Sequence, residues 1–590
     1  MVRKIATVSK TVWALLFFIT LSIGTTFPFI LHLGDHLRDE GDSYEFAWAI
    51  GFGAYQLTHD PLHLYSGNIY YPFPMSLAYS DSIVPDLILG TPIILLTGNS
   101  AFALNVLILL TFATAGLGMY LLVVGRTASS GAGLVAGIMY GFSPYLFDHV
   151  AQIPNISIEW APFAIWAFDR YVGNGKKRWA AGFVVFVVVQ VLASFYYAFI
   201  LGIGIAMYVA IRLVTSDRHR LRLSWLMPVV GFGVLGSLIV APFVSPYFAL
   251  ERTFGLRRTL DEAIFYSARP ANYLAPGPTI RFVLIDPVLR LFGRQAAVFG
   301  DSERHLYPGL LIVALALVGI VRNRYQQSVA PALMTLTGVL LSFGPLFHPV
   351  KGIVWNLPFT MPYALLYSAL PAFAALRAPS RFGALVVMGL AILAGDGLAG
   401  LFSRVGSLPL RTFGGIRGQA TLLILCACVA IIESLNNFQL VQIRSGATVP
   451  AVYSWLASRP VPSATVELPI DDNPYHQSPL SYYSTYHHQP LVNGSRSFIP
   501  PGYDELARTI AGFPSPRSIA TLQRLGIRYI IVHEAELPMP IVVPPHIPGI
   551  APTAKFGTDF VYQVDGQASP EELQLLVQNQ TAFSGIGICA

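Results

Sequence analysis

Apolar residues along this chain are gathered in blocks of roughly 15 to 25, close to the length that crosses a bilayer core about 30 Å thick. Polar residues lie between the blocks rather than alternating within them, so the pattern predicts membrane-spanning helices. The blocks fall at 11–33, 101–124, 130–147, 156–172, 179–194, 196–211, 224–248, 307–321, 330–347, 382–401 and 420–435, giving eleven expected spans. A twelfth apolar run, 84–96, is short and reads as an interfacial or re-entrant helix. The stretch 180–211 must fold as two short spans for the count to hold.

Basic residues test that count, because Lys and Arg accumulate on the cytoplasmic side of short loops. Arg3, Lys4 and Lys10 precede the first block, which is too long for a signal peptide and lacks a small-residue cleavage site. With that end inside, Arg126, the triplet Lys176, Lys177 and Arg178, the segment 212–222, Arg322 with Arg324, and the segment 404–417 also fall inside. The chain then ends outside. Gly34 to Ser82 carries seven acidic residues against the single Arg38, as an outer loop should.

After about Val441 no spanning block remains, and Pro, His, Asn and Tyr rise. Helical pieces are expected at 451–458, 503–511 and 516–525, and strands at 464–469, 528–533 and 559–564. The expected organisation is a membrane domain, 1–440, with outer loops 34–82 and 250–305, followed by a small extracytoplasmic α/β domain, 441–590.

Composition narrows the function classes. Of 590 residues, 54% are apolar and 12% charged, against about 25% charged in soluble chains, which excludes a cytosolic enzyme. The net charge of +6 is spread as small clusters between apolar blocks, so no nucleic-acid partner is expected. Three cysteines make no disulfide framework.

Chemistry concentrates in the outer loops. Asp35, Asp39, Glu40 and Asp42 follow the first span directly, where a carboxylate can reach a substrate with a watery head group and a lipid tail. Such a carboxylate could act as a general base on an acceptor hydroxyl; an acidic loop that only obeys topology accounts for the same residues. Asp148 and His149 form a second outer cluster, with Gln152, Asn155 and Glu159 close behind. Carboxylate and imidazole suit a divalent cation, though no metal-ligand spacing is present. The loop from Glu251 to Arg304 departs from the orientation rule, with eight arginines, no lysine and six acids. Arginine grips phosphate with two prongs. Arg269 in that loop, with Arg377 and Arg381 at the outer start of the tenth span, could hold a phosphate leaving group. Charge pairing with the acids, Glu303 among them, is the plainer alternative.

Several short strings carry a resemblance: Gly41-Asp42-Ser43 with Trp48, Tyr71-Pro72, Asp148-His149 with Trp160-Ala161-Pro162, Glu303 with Leu306-Tyr307-Pro308-Gly309, Arg377-Ala378-Pro379-Ser380-Arg381-Phe382, Glu467-Leu468-Pro469 and Val492-Asn493-Gly494. Together with the loop plan they resemble the GT-C class of integral-membrane glycosyltransferases, and within it a bacterial YfhO-like group that uses polyprenyl-phosphate sugars. The resemblance implies an inverting transferase of the bacterial plasma membrane, taking a sugar from a polyprenyl-phosphate donor to a glycan, lipid or protein acceptor outside. It places the catalytic Asp in the first outer loop, on Asp42 first and Asp35 second, with Glu303 in support. The class's paired acids of the second loop are met here only by Asp148 beside His149. Members with diphosphate donors use a divalent cation such as Mg or Mn, so this departure favours the metal-independent mode of monophosphate donors.

Two other readings compete. A lipid-linked glycan flippase or transporter would place ionisable sites near mid-membrane, and Asp396 and Glu433 are acids inside apolar blocks. A non-catalytic envelope assembly factor would instead display the tail domain to partners.

Overall fold

A computed structural model of the chain describes residues 2–215, 223–255, 258–274, 276–277, 302–322, 325–350, 353–355, 360–370, 373, 375–407, 415–471, 473–537 and 549–564. Arg257, Arg281, Arg290, Arg294 and Arg324 lie outside the described residues.

Helices occupy the apolar blocks, with the first ending at Thr25 instead of 33, and one further helix, α2, forms inside the expected outer loop: α1 (Val2–Thr25), α2 (Asp42–His59), α3 (Val84–Thr97), α4 (Ser100–Thr127), α5 (Ser130–Gly141), α6 (Pro144–Asp148), α7 (Trp160–Asn174), α8 (Lys177–Ala193), α9 (Phe195–Val214) and α10 (Leu223–Phe254). The series continues with α11 (Leu310–Arg322), α12 (Tyr325–Ser342), α13 (Pro362–Ala369), α14 (Gly383–Gly406) and α15 (Gly415–Ser434). Among the described residues, α4, α9, α10, α14 with the turn before it, and α15 are long and apolar enough to cross a membrane; α3, α11 and parts of α1 and α12 are shorter apolar helices. α10 presents its apolar side chains outward almost throughout, as a lipid-facing helix does.

Local chemistry sets the breaks. The expected helix 130–147 ends at Gly141 and restarts at Pro144, whose ring suits a first helical turn. Between α8 and α9, Ser194 is extended, and its hydroxyl accepts a hydrogen bond from the Tyr197 N–H at 3.1 Å. A serine cap thus divides 180–211 into two helices.

The chain divides into two compact units. The first comprises Met1–Leu31 and Ile108–Phe438. Within it α14 packs on α5, α11 and α12, and glycines set its closest approach. A Cβ on Gly319 of α11 would lie 2.2 Å from the Leu393 carbonyl oxygen, and one on Gly397 of α14 would lie 2.2 Å from that of Leu315. Small residues let helix backbones touch where no hydrophobic force separates helix from lipid.

Asp396 and Glu433, the two acids named for the transporter reading, are both engaged in structure. Asp396 pairs with Arg126 at 2.6 Å, and Arg126 also donates to the Tyr208 hydroxyl at 2.7 Å and the Gln327 carbonyl at 3.1 Å. Glu433 accepts the N–H groups of Leu310 and Leu311 at 2.8 and 3.2 Å, satisfying two donors at the start of α11.

The second unit comprises His32–Leu107 and Gln439–Ala590. The first outer loop, expected within a membrane domain 1–440, therefore folds with the C-terminal segment. Backbone pairing is the cause. Strand β1 (His36–Leu37) pairs antiparallel with β2 (Val441–Gln442). The Tyr70 and Tyr71 N–H groups donate to the Asn493 and Leu491 carbonyls at 3.1 and 2.9 Å, and Leu491 donates back to Asn68 at 2.6 Å.

The tail follows its predicted elements closely: helices α16 (Ala451–Ala457), α18 (Tyr503–Ala511) and α19 (Pro516–Arg524), and strands β3 (Thr465–Leu468), β4 (Tyr529–His533) and β6 (Asp559–Val564). Helix α17 (Pro474–His487) and strand β5 (Ile550–Phe556) were not expected. The sheet order is β3-β4-β6-β5, with β3 and β4 parallel and the other pairs antiparallel. Val452, Tyr453, Leu456, Tyr529, Ile531 and Val561 form a core on one face of it.

Candidate functional site

In the second unit, Asp42 opens the first turn of α2. The Asp39 carboxylate accepts the Gly41 and Ser43 N–H groups at 3.2 and 2.8 Å, covering donors that the helix start leaves free. One turn after Asp42, on the same helix face, Glu45 is buried and meets the Arg496 guanidinium at 2.9 Å. Burial pushes the Glu45 carboxyl up to about 7; Arg496 opposes this, while Asp42 and Asp39 add to it. Arg496 also lies over the Trp48 ring at 5.3 Å and donates to the Leu77 carbonyl at 3.1 Å. Trp48 in turn donates to Asn68 at 2.9 Å. The carboxylate pair Asp42 and Glu45 is thus built on one rigid turn.

Asp35 sits elsewhere in that unit, between two imidazoles. His36 Nδ1 lies 2.9 Å and His32 Nδ1 3.5 Å from the same Asp35 oxygen. The His36 hydrogen bond, the largest cause, outweighs partial burial and holds the Asp35 carboxyl below its ordinary range.

The strings quoted from the tail meet here. Asn493 brackets Glu467, accepting its N–H and donating to its carbonyl, each at 2.8 Å. Gly494 is required because a Cβ there would stand 2.7 Å from the Tyr70 ring.

In the first unit, Arg381 forms a two-pronged pair with Glu303, its Nε donating at 2.8 Å and its Nη2 to the other carboxylate oxygen. Burial alone would raise the Glu303 carboxyl, yet Arg381 overrides it and holds Glu303 near 2. The Arg381 guanidinium lies 4.6 Å over the Tyr196 ring. The Tyr196 hydroxyl bonds the Ala378 backbone on both sides, accepting its N–H at 2.7 Å and donating to its carbonyl at 2.9 Å. Arg377 lies 4.4 Å over the Tyr266 ring and donates to the Tyr266 hydroxyl at 2.6 Å. Arg258 is near both: burial lowers its pKa, Glu262 opposes this, and the charges of Arg377 and Arg381 lower it further.

Asp148 and His149 lie in the same unit. His149 Nδ1–H donates to the Tyr145 carbonyl at 2.7 Å, which fixes the tautomer of the neutral ring and leaves Nε2 buried with no hydrogen-bond partner among the described residues. Burial lowers the His149 pKa, against the charge of Glu303. Asp148 lies 3.7 Å from His305 Nδ1, and its carboxylate backs directly onto Gly277. Among the described residues these donors do not assemble a three-ligand cation set; the one group that does is His32, Asp35 and His36. Arg269 feels the charge of Arg304, the residue next to Glu303 in the chain. Its backbone N–H donates to Asn272 at 2.6 Å, and burial followed by the charge of Arg304 lowers its pKa.

Beyond Tyr196 an apolar cavity of about 410 Å³ opens among Phe199, Ile203, Leu340, Pro362, Leu366 and Phe373. Phe199 follows Tyr196 by one turn of α9, and Phe373 stacks on Phe382, beside Arg381 in the chain. Sequence reasoning named Arg377, Arg381 and Glu303 but assigned no role to Glu45 or Arg496. The available signal was a lone arginine two residues after Val492-Asn493-Gly494.

No protein-family model matches the chain, and no curated protein matches it by sequence. Among solved structures it is similar to the arabinofuranosyltransferase AftD from Mycobacteria, at 13% identity and a TM-score of 0.54 over 95% of this chain and 40% of that one. A mutant form of AftD gives 13% identity and a TM-score of 0.56, over 94% and 41%. ArnT from Cupriavidus metallidurans, solved with undecaprenyl phosphate, is 12% identical with a TM-score of 0.45, over 94% and 99%. The chain spans about 40% of the length of AftD. It has the fold of a GT-C class membrane glycosyltransferase.

Proposed function

We propose that the chain is a glycosyltransferase that moves one sugar from a polyprenyl-phosphate donor to an acceptor on the outer face of a bacterial plasma membrane. The observation that carries this reading is the gathering of Arg258, Arg377 and Arg381 beside an apolar cavity. Three guanidiniums with one neutralising partner in Glu303 and one in Glu262 leave positive charge that a phosphate would satisfy. The cavity offers the hydrocarbon side of the same ligand a dry surface.

In the proposed reaction a carboxylate base, for which Asp42 is the candidate to test, removes the proton from an acceptor hydroxyl as its oxygen attacks the anomeric carbon. The bond from that carbon to the phosphate oxygen breaks, and the electron pair leaves with the phosphate. Arg377, which donates to the Tyr266 hydroxyl and lies over its ring, holds the phosphate and its growing charge. Arg381 is already neutralised by Glu303, so its part is to position the Tyr196 and Ala378 turn. Attack from the face opposite the leaving group inverts the anomeric centre. Glu45, raised to about 7, keeps a second negative charge from facing Asp42 at full strength. The transporter alternative loses its expected sites, since Asp396 and Glu433 are engaged by Arg126 and by the α11 backbone.

The test is label transfer from a panel of polyprenyl-phosphate sugars to membrane acceptors by the purified protein. Asp42→Asn should lower transfer by about 10²- to 10⁴-fold, the usual worth of a general base. Full transfer by Asp42→Asn would remove the base assignment, and no transfer from any donor would remove the activity.

A further inference from the structure

The cluster at the entry to the first outer loop has chemistry that the proposed transfer does not use. His32, Asp35 and His36 bring three donor atoms within 4.8 Å of one another. Both imidazoles aim Nδ1 at one carboxylate oxygen, at 3.5 and 2.9 Å, and the ring centroids are 4.4 Å apart. In a tetrahedral zinc site with bonds of about 2.0–2.1 Å, neighbouring ligand atoms stand about 3.3 Å apart. The two measured separations bracket that edge.

The backbone that carries these side chains is held independently of them. Asn105 Nδ2 donates to the Leu33 and His36 carbonyls, both at 2.8 Å. Asn99 donates to the Gly34 carbonyl at 2.8 Å, and Ser445 donates to the same oxygen. The Ile443 N–H donates to the Asp35 carbonyl at 2.8 Å, and His36 is locked in register with Gln442. Four consecutive carbonyls, from Leu33 to His36, are thus bound by donors from other segments, which fixes the backbone from which Asp35 and His36 project. Ligands held in place before the ion arrives are what a metal site needs. His32 and Asp35 remain 39% and 54% exposed at their side chains, so an ion can enter.

We propose that His32, Asp35 and His36 form a binding site for a divalent transition-metal ion of the zinc type. Two imidazoles and one carboxylate select such an ion over magnesium, which prefers an all-oxygen shell. Three protein ligands leave the fourth tetrahedral position to water. The ion clamps the chain where it enters the first outer loop, and Asp35 serves as a ligand rather than as a second catalytic base. This site stands apart from the glycosyltransferase reading and does not depend on it.

The experiment uses the full chain, purified in detergent with a tag free of histidine, stripped with EDTA and loaded with zinc alone. The expected result is one equivalent of zinc by elemental analysis. Competition with a chromophoric chelator should show affinity falling by at least ~100-fold in His32→Ala and His36→Ala, beyond the 10- to 100-fold typical of outer-shell changes. Cobalt loading of the unaltered chain should give the intense visible bands of a tetrahedral site, a readout that holds even if a variant folds poorly. Substoichiometric zinc, undiminished zinc in the double variant, or weak octahedral cobalt bands would each overturn the proposal. Equal affinity for magnesium would overturn its zinc-type character.

Discussion

Arg496 places its guanidinium 2.9 Å from the Glu45 carboxylate, and both side chains are almost wholly buried. The pair joins the helix that begins with Asp42 to the tail segment just after Gly494. Its geometry is that of an ion pair without an aligned hydrogen bond: among the described residues Glu45 Oε1 and Arg496 Nη1 have no hydrogen-bond partner. The pair is therefore held by charge and by the aromatic rings around it more than by directional bonding.

Removing one partner should accordingly be worse than removing both. Arg496→Ala leaves Glu45 buried without its cation, so that it must take up a proton or remain charged and unpaired, with an expected loss of up to about 3–5 kcal/mol. The double variant Glu45→Ala with Arg496→Ala should recover part of that loss, because no orphan charge remains. Denaturant unfolding of the four proteins in detergent measures the coupling. Strictly additive losses would show that charge pairing contributes nothing there.

A second buried network lies in the tail sheet. His533 donates from Nε2 to Glu467 at 2.8 Å and from Nδ1 to Asp559 at 2.9 Å, and Tyr453 donates to the same Glu467 oxygen at 2.9 Å. Burial alone would lower the His533 pKa, but these bonds raise it from 6.5 to about 10. A group whose pKa is higher in the folded state stabilises the fold fully below its unfolded value and loses that contribution as pH rises through the folded one. The melting temperature of the full chain should therefore decline between about pH 7 and pH 10, and His533→Gln should flatten that decline. A parent profile that stays level to pH 10.5 would contradict the doubly bonded imidazolium.

Much of this architecture was legible because apolar blocks and serine or proline punctuation are local signals. The 180–211 stretch was expected to divide, and Ser194 supplies the reason. The tail strands 528–533 and 559–564 announced themselves by β-branched and aromatic runs. Helix α17 did not, since Pro474–His487 is rich in Ser, Tyr and His, contains Pro479 and lacks an apolar stripe. Strand β5 was hidden by Pro552 and by side chains that are mostly exposed. The site divides in the same way. Arg377, Arg381 and Glu303 stood out as charges in outer loops, whereas the pairing of Glu45 with Arg496 joins residues far apart in sequence and has no local signature. The same is true of the grouping of the first outer loop with the tail, which rests on backbone bonds between Tyr70, Tyr71, Leu491 and Asn493.

The contact between α11 and α14 gives a prediction independent of any charge. Gly319→Ala and Gly397→Ala each place a methyl group 2.2 Å from a carbonyl oxygen of the facing helix. Backbone cannot rotate away as a side chain can, so each helix must shift, at an expected cost of about 1–3 kcal/mol. Gly400→Ala, on the same helix α14 with open space around it, should be neutral. Thermal unfolding of the three variants in one detergent compares them directly, and equal behaviour would show that the glycines do not set the helix spacing.

Arg377 and Arg381 should respond to substitution in different ways, although they share one short string. Arg381 has its charge met by Glu303, so Arg381→Ala strands a buried carboxylate and should lower the yield of folded protein. Glu303, depressed from 4.5 to about 2, contributes stability above its unfolded value that is lost as pH falls through about 2. The pair therefore stays ionised over the working range, and the pH profile of transfer should carry no step from it. Among the described residues Arg377 donates its hydrogen bond to Tyr266 and stacks on that ring, while Glu303 and the like-charged Arg258 both feel its charge, so Arg377→Ala should shift the unfolding midpoint less than Arg381→Ala does. Its effect should fall on the reaction, with kcat/KM for a polyprenyl-phosphate sugar lowered by about 10²- to 10³-fold, as for loss of one oxyanion donor. Arg377→Lys should restore only part of this, since an ammonium supplies charge without the two-pronged fork. If Arg377→Ala instead unfolds the chain, or leaves kcat/KM intact, the phosphate belongs to another arginine, and Arg258 is the next to test.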